Sequence, residues 1–389
     1  MKKRTILPIV CSVFAFSMQG IVTSHAAEAS TAGLPAQQAS SEPVGTATTS
    51  AGAPMTLDVV VTGKKDIPVA GLQPEDFSLL DNGHPVPLAS VREAHGLGLH
   101  ADPPVEVFVV VDAVNMRFLA RANQRQWLMD FFNANGKELA LPTSLVVLTG
   151  NGIEEQNRPT RDGNVLLRVL DASYAGFRDI KGAEGLQGAL LREEESLKAL
   201  NVFAIQQSKR PGRKLFIWLG GGWSVASNPT WSGGPKKLQS IYTYIALLST
   251  ALREAHMTLY EVIPASGVGR ADIYMQYVKG VYDPKHADLG NLSLPVLATQ
   301  TGGQVLIGSS DLPALIDQCI SDVRSYYQLT FIPPPATHPA EYHALQVQLA
   351  KPGLKARTRF GYYTPAAQSD LPPLAAALQM PDVVQASAQ

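Results

Sequence analysis

One carboxylate directly follows a strongly apolar segment of the chain. The run Val105 to Val111 (VEVFVVV) is apolar at every position but Glu106, and the residue after it is Asp112. A run of this kind is typical of a parallel strand that is covered on both faces. In open α/β sheets ligands bind at the carboxyl ends of such strands. An aspartate in this place also caps the following helix in many proteins, so ligand binding and helix capping both stay open.

The other residues that could do chemistry form no recognisable catalytic set. Gly220 to Gly222 lack the Gly-Lys-Ser/Thr ending of a phosphate-binding loop, and we interpret them as a tight turn after a strand. His338 and His343 have no third metal ligand near them and are predicted to be exposed. No G-x-S-x-G, H-E-x-x-H or S-x-x-K arrangement occurs. We therefore expect a protein that is not an enzyme and that holds no cofactor.

Two positions on helical patterns carry unusual residues. Cys319 lies on the apolar stripe of a helix predicted over 310–325, which favours a buried and unreactive thiol. Glu193 to Glu195 are interpreted mostly as a solvated helix face. Glu193 nevertheless falls on the apolar stripe of its helix, and an ion pair or a local irregularity are the two explanations that the sequence offers.

Composition excludes several classes of protein. The chain has 389 residues, 45% hydrophobic and 17% charged, which is enough to bury a core in two or three domains. Lys and Arg number 32 against 33 Asp and Glu, and no basic run follows the first four residues, so nucleic acid is not an expected partner. The two cysteines have no spacing typical of a disulfide framework or a zinc site.

The N-terminus has the pattern of an export signal. Lys2, Lys3 and Arg4 precede an apolar stretch from Ile6 to about Phe16, and small residues follow as far as Ala27. This pattern predicts a signal peptide over 1–26, with cleavage near Ala26, and hence a secreted or periplasmic protein. No other segment is apolar enough to predict a membrane span.

Composition also marks the ends of the mature chain. Residues 27–55 are rich in Ala, Ser, Thr, Gly and Pro and are predicted to be a flexible linker, and 366–389 is predicted to be a mobile tail.

Between these ends, strand and helix patterns alternate from 105 to 325, which predicts an α/β domain with right-handed crossovers. After Val105 to Val111, further apolar runs lie at Ser144 to Leu148, Leu215 to Leu219, Leu259 to Ile263 and Gln304 to Ile307, and helical patterns lie at 184–206, 236–256 and 310–325.

The flanking regions have a different pattern. Residues 56–94 contain short strands separated by Asp, Asn and Gly turns, and 326–365 contain a strand and a hairpin of 342–349 with 356–363. Neither region has enough apolar residues to be stable alone. We therefore predict that they pair with each other into one small antiparallel β module.

An ordered set of segments over about 55–365 resembles a known family. These segments are LDVVVTGKKDIPVAGLQPEDFSLLDNGHPV, VEVFVVVDAVNM, PGRKLFIWLGGGW and YYQLTFIPP with YHALQVQLAKPGLKARTRFGYY. They are similar to bacterial secreted proteins with a von Willebrand factor A-related domain, of the acidobacterial type. The resemblance implies a Rossmann-like A-type domain that follows a β module. In typical relatives its upper face holds a divalent metal, and a carboxylate of a partner protein completes the coordination of that metal.

The metal site of that family is degenerate here. The family pattern is D-x-S-x-S, a threonine from a middle loop and an aspartate after the fourth strand. Asp112 is kept, Val114 and Met116 replace the two serines, Glu184 aligns with the threonine, and Gly220 to Gly222 replace the second aspartate. Loss of two hydroxyls and a carboxylate removes the oxygen shell that Mg²⁺ needs. A residual Mg²⁺ held by Asp112, Glu184 and water is the weaker alternative to no metal.

The resemblance and the lost ligands together predict a non-catalytic, adhesion-like module that binds an unidentified protein partner. Its upper loops would be Asp112 to Phe118, Phe177 to Gly185 and Gly220 to Trp231. A cell-envelope scaffold in which the A-type domain is a spacer is the alternative, and a hydrolase with an unrecognised site is a third hypothesis. For the tryptophans of these loops, packing of the side chain against the domain itself is the alternative to contact with a partner. The predicted partner-binding residues are Asp112, Asn115, Glu184, Gly220, Gly221, Trp223 and Trp231.

Overall fold

The computed structural model describes residues 53–98, 101–116, 118–156, 158–175, 185–223, 234–263, 274–308 and 311–365. These residues belong to one compact unit. The predicted signal peptide, nearly all of the predicted linker and the predicted tail lie outside the described residues. None of the helices in the described ranges is long and apolar enough to cross a membrane.

Strands and helices alternate through the middle of the chain, and strands alone occupy its flanks. The strands are β1 Met55–Thr62, β2 Phe77–Asp81, β3 His84–Val86, β4 Leu88–Ala94, β5 Val105–Asp112, β6 Glu138–Thr149, β7 Gly152–Glu155, β8 Thr160–Asp162, β9 Arg213–Leu219, β10 Met257–Ile263, β11 Val305–Ile307, β12 Tyr326–Phe331, β13 Tyr342–Leu349, β14 Lys355–Arg357 and β15 Gly361–Tyr363. The α-helices are α1 Phe118–Asn133, α2 Gly163–Ala175, α3 Gly185–Gln207, α4 Pro235–Glu254, α5 Leu294–Gln300 and α6 Leu312–Ser321.

A sheet of mostly parallel strands forms the centre of the fold, which is mixed α/β as the alternation predicts. Its order is β11-β10-β9-β5-β6-β7, and the pairs from β11 to β6 are parallel. The chain goes from β5 to β6 on one side and then returns to β9 on the other, so the strand order reverses between β5 and β9. In open α/β sheets this reversal marks the crevice where ligands bind.

Helices cover both faces of the parallel sheet. One apolar cluster joins the sheet to α3, α4 and α5, and a second joins its other face to α1, α2 and α6. Burial on both faces explains why β5 and β9 have no polar alternation. The short polar strands β7 and β8, which pair antiparallel with β6, have no apolar pattern and were not predicted.

The flanking strands form two four-stranded antiparallel sheets. Their orders are β14-β1-β12-β4 and β15-β13-β2-β3, and a third apolar cluster joins residues of both sheets. Strands from the N-terminal flank pair with strands from the C-terminal flank in both sheets, as in β1 with β12 and β2 with β13. This pairing agrees with the sequence-based expectation. The division of the chain into domains at 94, 105 and 325 stays a prediction.

The predicted C-terminal hairpin of 342–349 with 356–363 is confirmed at its open end, where β13 pairs antiparallel with β15 and Tyr342 lies opposite Tyr363. Nearer the turn the prediction is wrong, because β14 pairs with β1 in the other sheet and the rest of β13 pairs with β2. The turn at Lys351 to Gly353 therefore carries the chain from one layer to the other.

Candidate functional site

Asp112 lies at the carboxyl end of β5, beside the reversal of strand order, and its carboxylate is completely buried. Oδ1 accepts hydrogen bonds from the backbone N–H of Val114 at 3.0 Å and of Asn115 at 2.8 Å. Oδ2 accepts from Nε1 of Trp218 at 3.1 Å and from Nδ2 of Asn115 at 3.0 Å. These donors surround both oxygens of the carboxylate, and we call them the N–H cage of Asp112.

Burial and the N–H cage act on the Asp112 carboxyl in opposite directions. Burial raises the pKa of Asp112 because it removes the charged form from water, and the hydrogen bonds from Asn115, Val114 and Trp218 lower it. The net direction is an increase. The Nδ2 group of Asn115 also donates to Oγ of Ser196 at 2.9 Å, which ties the loop after β5 to α3.

The positions that would supply hydroxyls in the resembling family are filled by apolar groups. Val114 is buried in the cluster that joins the sheet to α3 and α4. Gly220, whose φ is +121°, lies so close to Met116 that an added Cβ would be 3.1 Å from its sulfur. The thioether therefore occupies the space beside the end of β9. No oxygen from either position faces Asp112.

Trp218 and Trp223 form the floor of this region. Their rings meet edge to face with centroids 5.4 Å apart, and Nε1 of Trp223 donates to the carbonyl oxygen of Leu292 at 3.0 Å. Trp223 is 2% exposed, so the expectation that it contacts a partner is wrong and the competing interpretation, packing back on the domain, is observed. The buried carboxylate of Asp112 is likewise not available to a partner in this structure.

The remaining predicted site residues differ in position. Gly221 is exposed, Asn115 is half-buried and Gly220 is buried. Glu184 and Trp231, together with most of the loops at 177–185 and 220–231, lie outside the described residues. The structure therefore brings together Asp112, Asn115, Gly220 and Trp223, and the proposed Asp112 and Glu184 metal pair stays a prediction.

Trp218 and Ser196 complete the site and were not predicted. Trp218 lies within a buried strand, where an indole N–H needs a hydrogen-bond acceptor. This need for an acceptor is the one signal in the sequence that could have placed Trp218 beside a buried polar group. Among the described residues, no group of three or more His, Cys, Asp or Glu side chains is placed to hold a metal ion.

Glu193 is an unusual group on the same side of the sheet. It is 0% exposed, and neither carboxylate oxygen has a hydrogen-bond partner. Of the two explanations that the sequence offers, the ion pair is not found among the described residues, and a solvated position for this residue is wrong. Burial raises the pKa of Glu193 to about 8, and the negative charge of Asp288 adds to the increase.

Two expectations outside the site are also settled. Cys319 is buried, as predicted, and burial raises the pKa of its thiol well above the usual value. His338 is exposed, but His343 is buried, with Nδ1 2.8 Å from Oδ1 of Asp81 and its ring stacked on Tyr362. The prediction of an exposed His343 is wrong because this residue faces inward in β13, where Asp81 satisfies it.

Comparisons with known proteins do not assign the chain to a family. No family model matches the chain, and no curated protein matches it. Among solved structures, the pilus adhesin SpaC from Lactobacillus rhamnosus GG matches with 9% identity and a TM-score of 0.31. The match covers 78% of this chain and 50% of the adhesin. The chain thus matches half the length of that protein, and a TM-score this low does not establish a shared fold.

Proposed function

We propose that this chain is an exported, non-catalytic protein-binding module with a von Willebrand factor A-related domain, and that it binds its partner without a metal ion. The N–H cage of Asp112 is the observation that carries the proposal. A metal site needs oxygen lone pairs that are free to coordinate. At Asp112 those lone pairs accept hydrogen bonds from backbone, amide and indole groups.

Packing around the cage supports the same proposal. Two apolar side chains, Val114 and Met116, stand where the family has hydroxyls, and Gly220 leaves room for the sulfur of Met116. A hydrolytic site at this place would need a nucleophile and a base in contact. The described side chains that contact the Asp112 carboxylate are Asn115 and Trp218, neither of which is a nucleophile or a base. These contacts support binding through the loops at this face over hydrolysis.

Gly221 offers a direct test of the binding face. It is exposed, its φ is outside the left-handed region, and an added Cβ would meet nothing within 4 Å. Gly221→Arg therefore places a long charged side chain on this face without strain. The matched variant is Ile67→Arg, at a 61% exposed position between β1 and β2.

The experiment is cross-linking capture from cell-envelope extract, followed by affinity measurement with the purified captured protein. We expect Gly221→Arg to abolish binding, Ile67→Arg to preserve it, and EDTA to leave it unchanged. Binding that survives Gly221→Arg, or that EDTA abolishes, would contradict the proposal.

A second candidate is the envelope scaffold, in which the β layers make the contacts. Large apolar side chains are exposed there at Ile67, Ile332 and Phe360. Exposed apolar groups mark interaction sites when they form a continuous patch. Loss of binding in Ile67→Arg with retention in Gly221→Arg would favour this function.

A further inference from the structure

The C-terminal hairpin opens into two arms that join different sheets, and a groove lies between them. β13 and β15 pair as far as Leu345, whose N–H donates to the carbonyl oxygen of Phe360 at 2.8 Å. Nearer the turn, β14 pairs with β1 and the rest of β13 pairs with β2. The groove has a volume of about 600 Å³ and is lined by 345–347 from one arm and 355–360 from the other. We call it the split-hairpin groove.

The β13 arm presents free main-chain groups to this groove. The carbonyl oxygen of Ala344 accepts from the N–H of Asn82, and the N–H of Ala350 donates to the carbonyl oxygen of Asp76, so both residues of this arm face β2. Main-chain groups alternate in direction along an antiparallel strand. The N–H and C=O of Val347 therefore point away from β2 and toward the groove, beyond the part of β13 that pairs with β15.

The β14 arm presents free main-chain groups from the other side. Val61 of β1 lies opposite Ala356, but its carbonyl oxygen accepts from the N–H of Val69, on the side of β1 away from β14. The two opposite residues are therefore a pair without mutual hydrogen bonds, whose main-chain groups point away from each other. The N–H and C=O of Ala356 thus point toward the groove, and β14 is the edge strand of its sheet.

The side chains that line the groove carry more positive than negative charge. Lys355 is exposed and Arg359 is half-buried, and Arg357, which is already held in an ion pair, also lines the groove. Asp66 is the one carboxylate among the described residues of this lining. Phe360, 39% exposed, adds an apolar surface beside the main-chain groups. The charge of the groove therefore favours an acidic ligand.

We propose that the split-hairpin groove binds an extended, acidic peptide segment of a partner protein, which adds a strand between the two arms. An unpaired strand edge is a template for a further strand, and main-chain hydrogen bonds give such a peptide its affinity. Val347 and Ala356 offer these groups, and Lys355 and Arg359 attract the acidic side chain. The volume lies within the range of ligand sites. The proposal does not rest on the function proposed for the Asp112 face.

The experiment selects heptapeptides from a random phage-displayed library on the immobilised mature chain and measures their affinity by fluorescence anisotropy. We expect the selected peptides to share an acidic residue and to bind with dissociation constants of about 1–100 μM. Lys355→Glu should weaken binding about fivefold or more, because an attractive charge pair becomes a repulsive one. Lys209→Glu, at an exposed position after α3, is the matched control and should leave the affinity unchanged.

Two further measurements test for main-chain recognition. N-methylation of successive peptide amides should weaken binding at every second residue, because alternate N–H groups of a strand face the same way. Ala356→Pro removes the N–H that β14 presents to the groove, on an edge strand where proline is tolerated, and should weaken binding about tenfold. If circular dichroism shows that Ala356→Pro is unfolded, the N-methylation series on the unaltered chain provides the same test.

Several results would overturn the proposal. These are a selection that yields no acidic peptides, an equal effect of N-methylation at every residue, or an unchanged affinity in Lys355→Glu. Slow amide hydrogen exchange at both Val347 and Ala356 in the free protein would also overturn it, because the chain itself or a second copy would then fill the groove. Sedimentation velocity separates these two occupants, since only a second copy raises the mass.

Discussion

In an Asp112→Asn variant, one carboxylate oxygen becomes an amide NH₂ group that faces a donor. If the remaining oxygen keeps the backbone N–H groups of Val114 and Asn115, the indole N–H of Trp218 loses its acceptor. An unsatisfied buried donor costs about 1–3 kcal/mol. We expect a loss near the lower end, about 1–2 kcal/mol, since a neutral amide avoids the burial cost that raises the pKa of Asp112.

Asp112→Ala removes both acceptors and should cost more. Three buried donors, on Val114, Asn115 and Trp218, then lack a partner, which gives about 3 kcal/mol or more. Urea unfolding at pH 7, followed by circular dichroism, measures both losses as changes in midpoint at constant slope. Asp171→Asn is the control, because that carboxylate is exposed in a surface ion pair, and it should change stability by less than about 1 kcal/mol.

Thermal melts with millimolar Mg²⁺ and with EDTA complete this test. A metal that binds the folded state at a hundredfold excess over its dissociation constant stabilises it by about 2.7 kcal/mol. We expect the two melts of the unaltered protein to superimpose. Wild-type stability in Asp112→Ala, or an upward shift in Mg²⁺ that Asp112→Asn abolishes, would refute the interpretation of the N–H cage as a structural element that excludes metal.

Two further predictions concern buried titratable groups. The pKa of Glu193 is about 8 in the fold against an ordinary 4.5, so the folded state holds an extra proton between these values. Stability should therefore fall as pH rises through that window, by about 1.4 kcal/mol per unit from this group. Urea unfolding from pH 5 to 8 should show a shallower decline in Glu193→Gln but not in Glu195→Gln. Cys319 should react with a thiol probe only after unfolding, and rapid labelling of the native protein would contradict its burial.

The parallel sheet was predictable because its signal is local. A strand covered on both faces is apolar at nearly every position, as in β5 and β9, so the run itself marks the strand. β7 and β8 have the sequences GIEE and TRD, which carry no such pattern, and only pairing with β6 makes them strands. The C-terminal hairpin was predictable at its open end, where β13 pairs with β15, but not near its turn, because the sequence does not say which of two sheets the short strand β14 joins.

The candidate site was predictable only in its location. The end of an apolar strand identifies Asp112. The indole group that donates to its Oδ2 belongs to Trp218, which lies 106 residues later in the chain. The neighbouring strand brings this residue into contact. Trp223 shows the same limit, since its buried indole N–H donates to the carbonyl oxygen of Leu292, 69 residues away.

The two ends of β9 differ in whether their buried polar groups have hydrogen-bond partners. At the carboxyl end, Trp218 supplies a donor to an acceptor that the protein buries, the carboxylate of Asp112. At the amino end, Arg213 buries donors for which the described residues supply no acceptor. Buried groups with hydrogen-bond partners make a site rigid, whereas buried donors without an acceptor cost stability. Because different residues form the two ends, Arg213→Lys should leave partner capture at the Asp112 face unchanged.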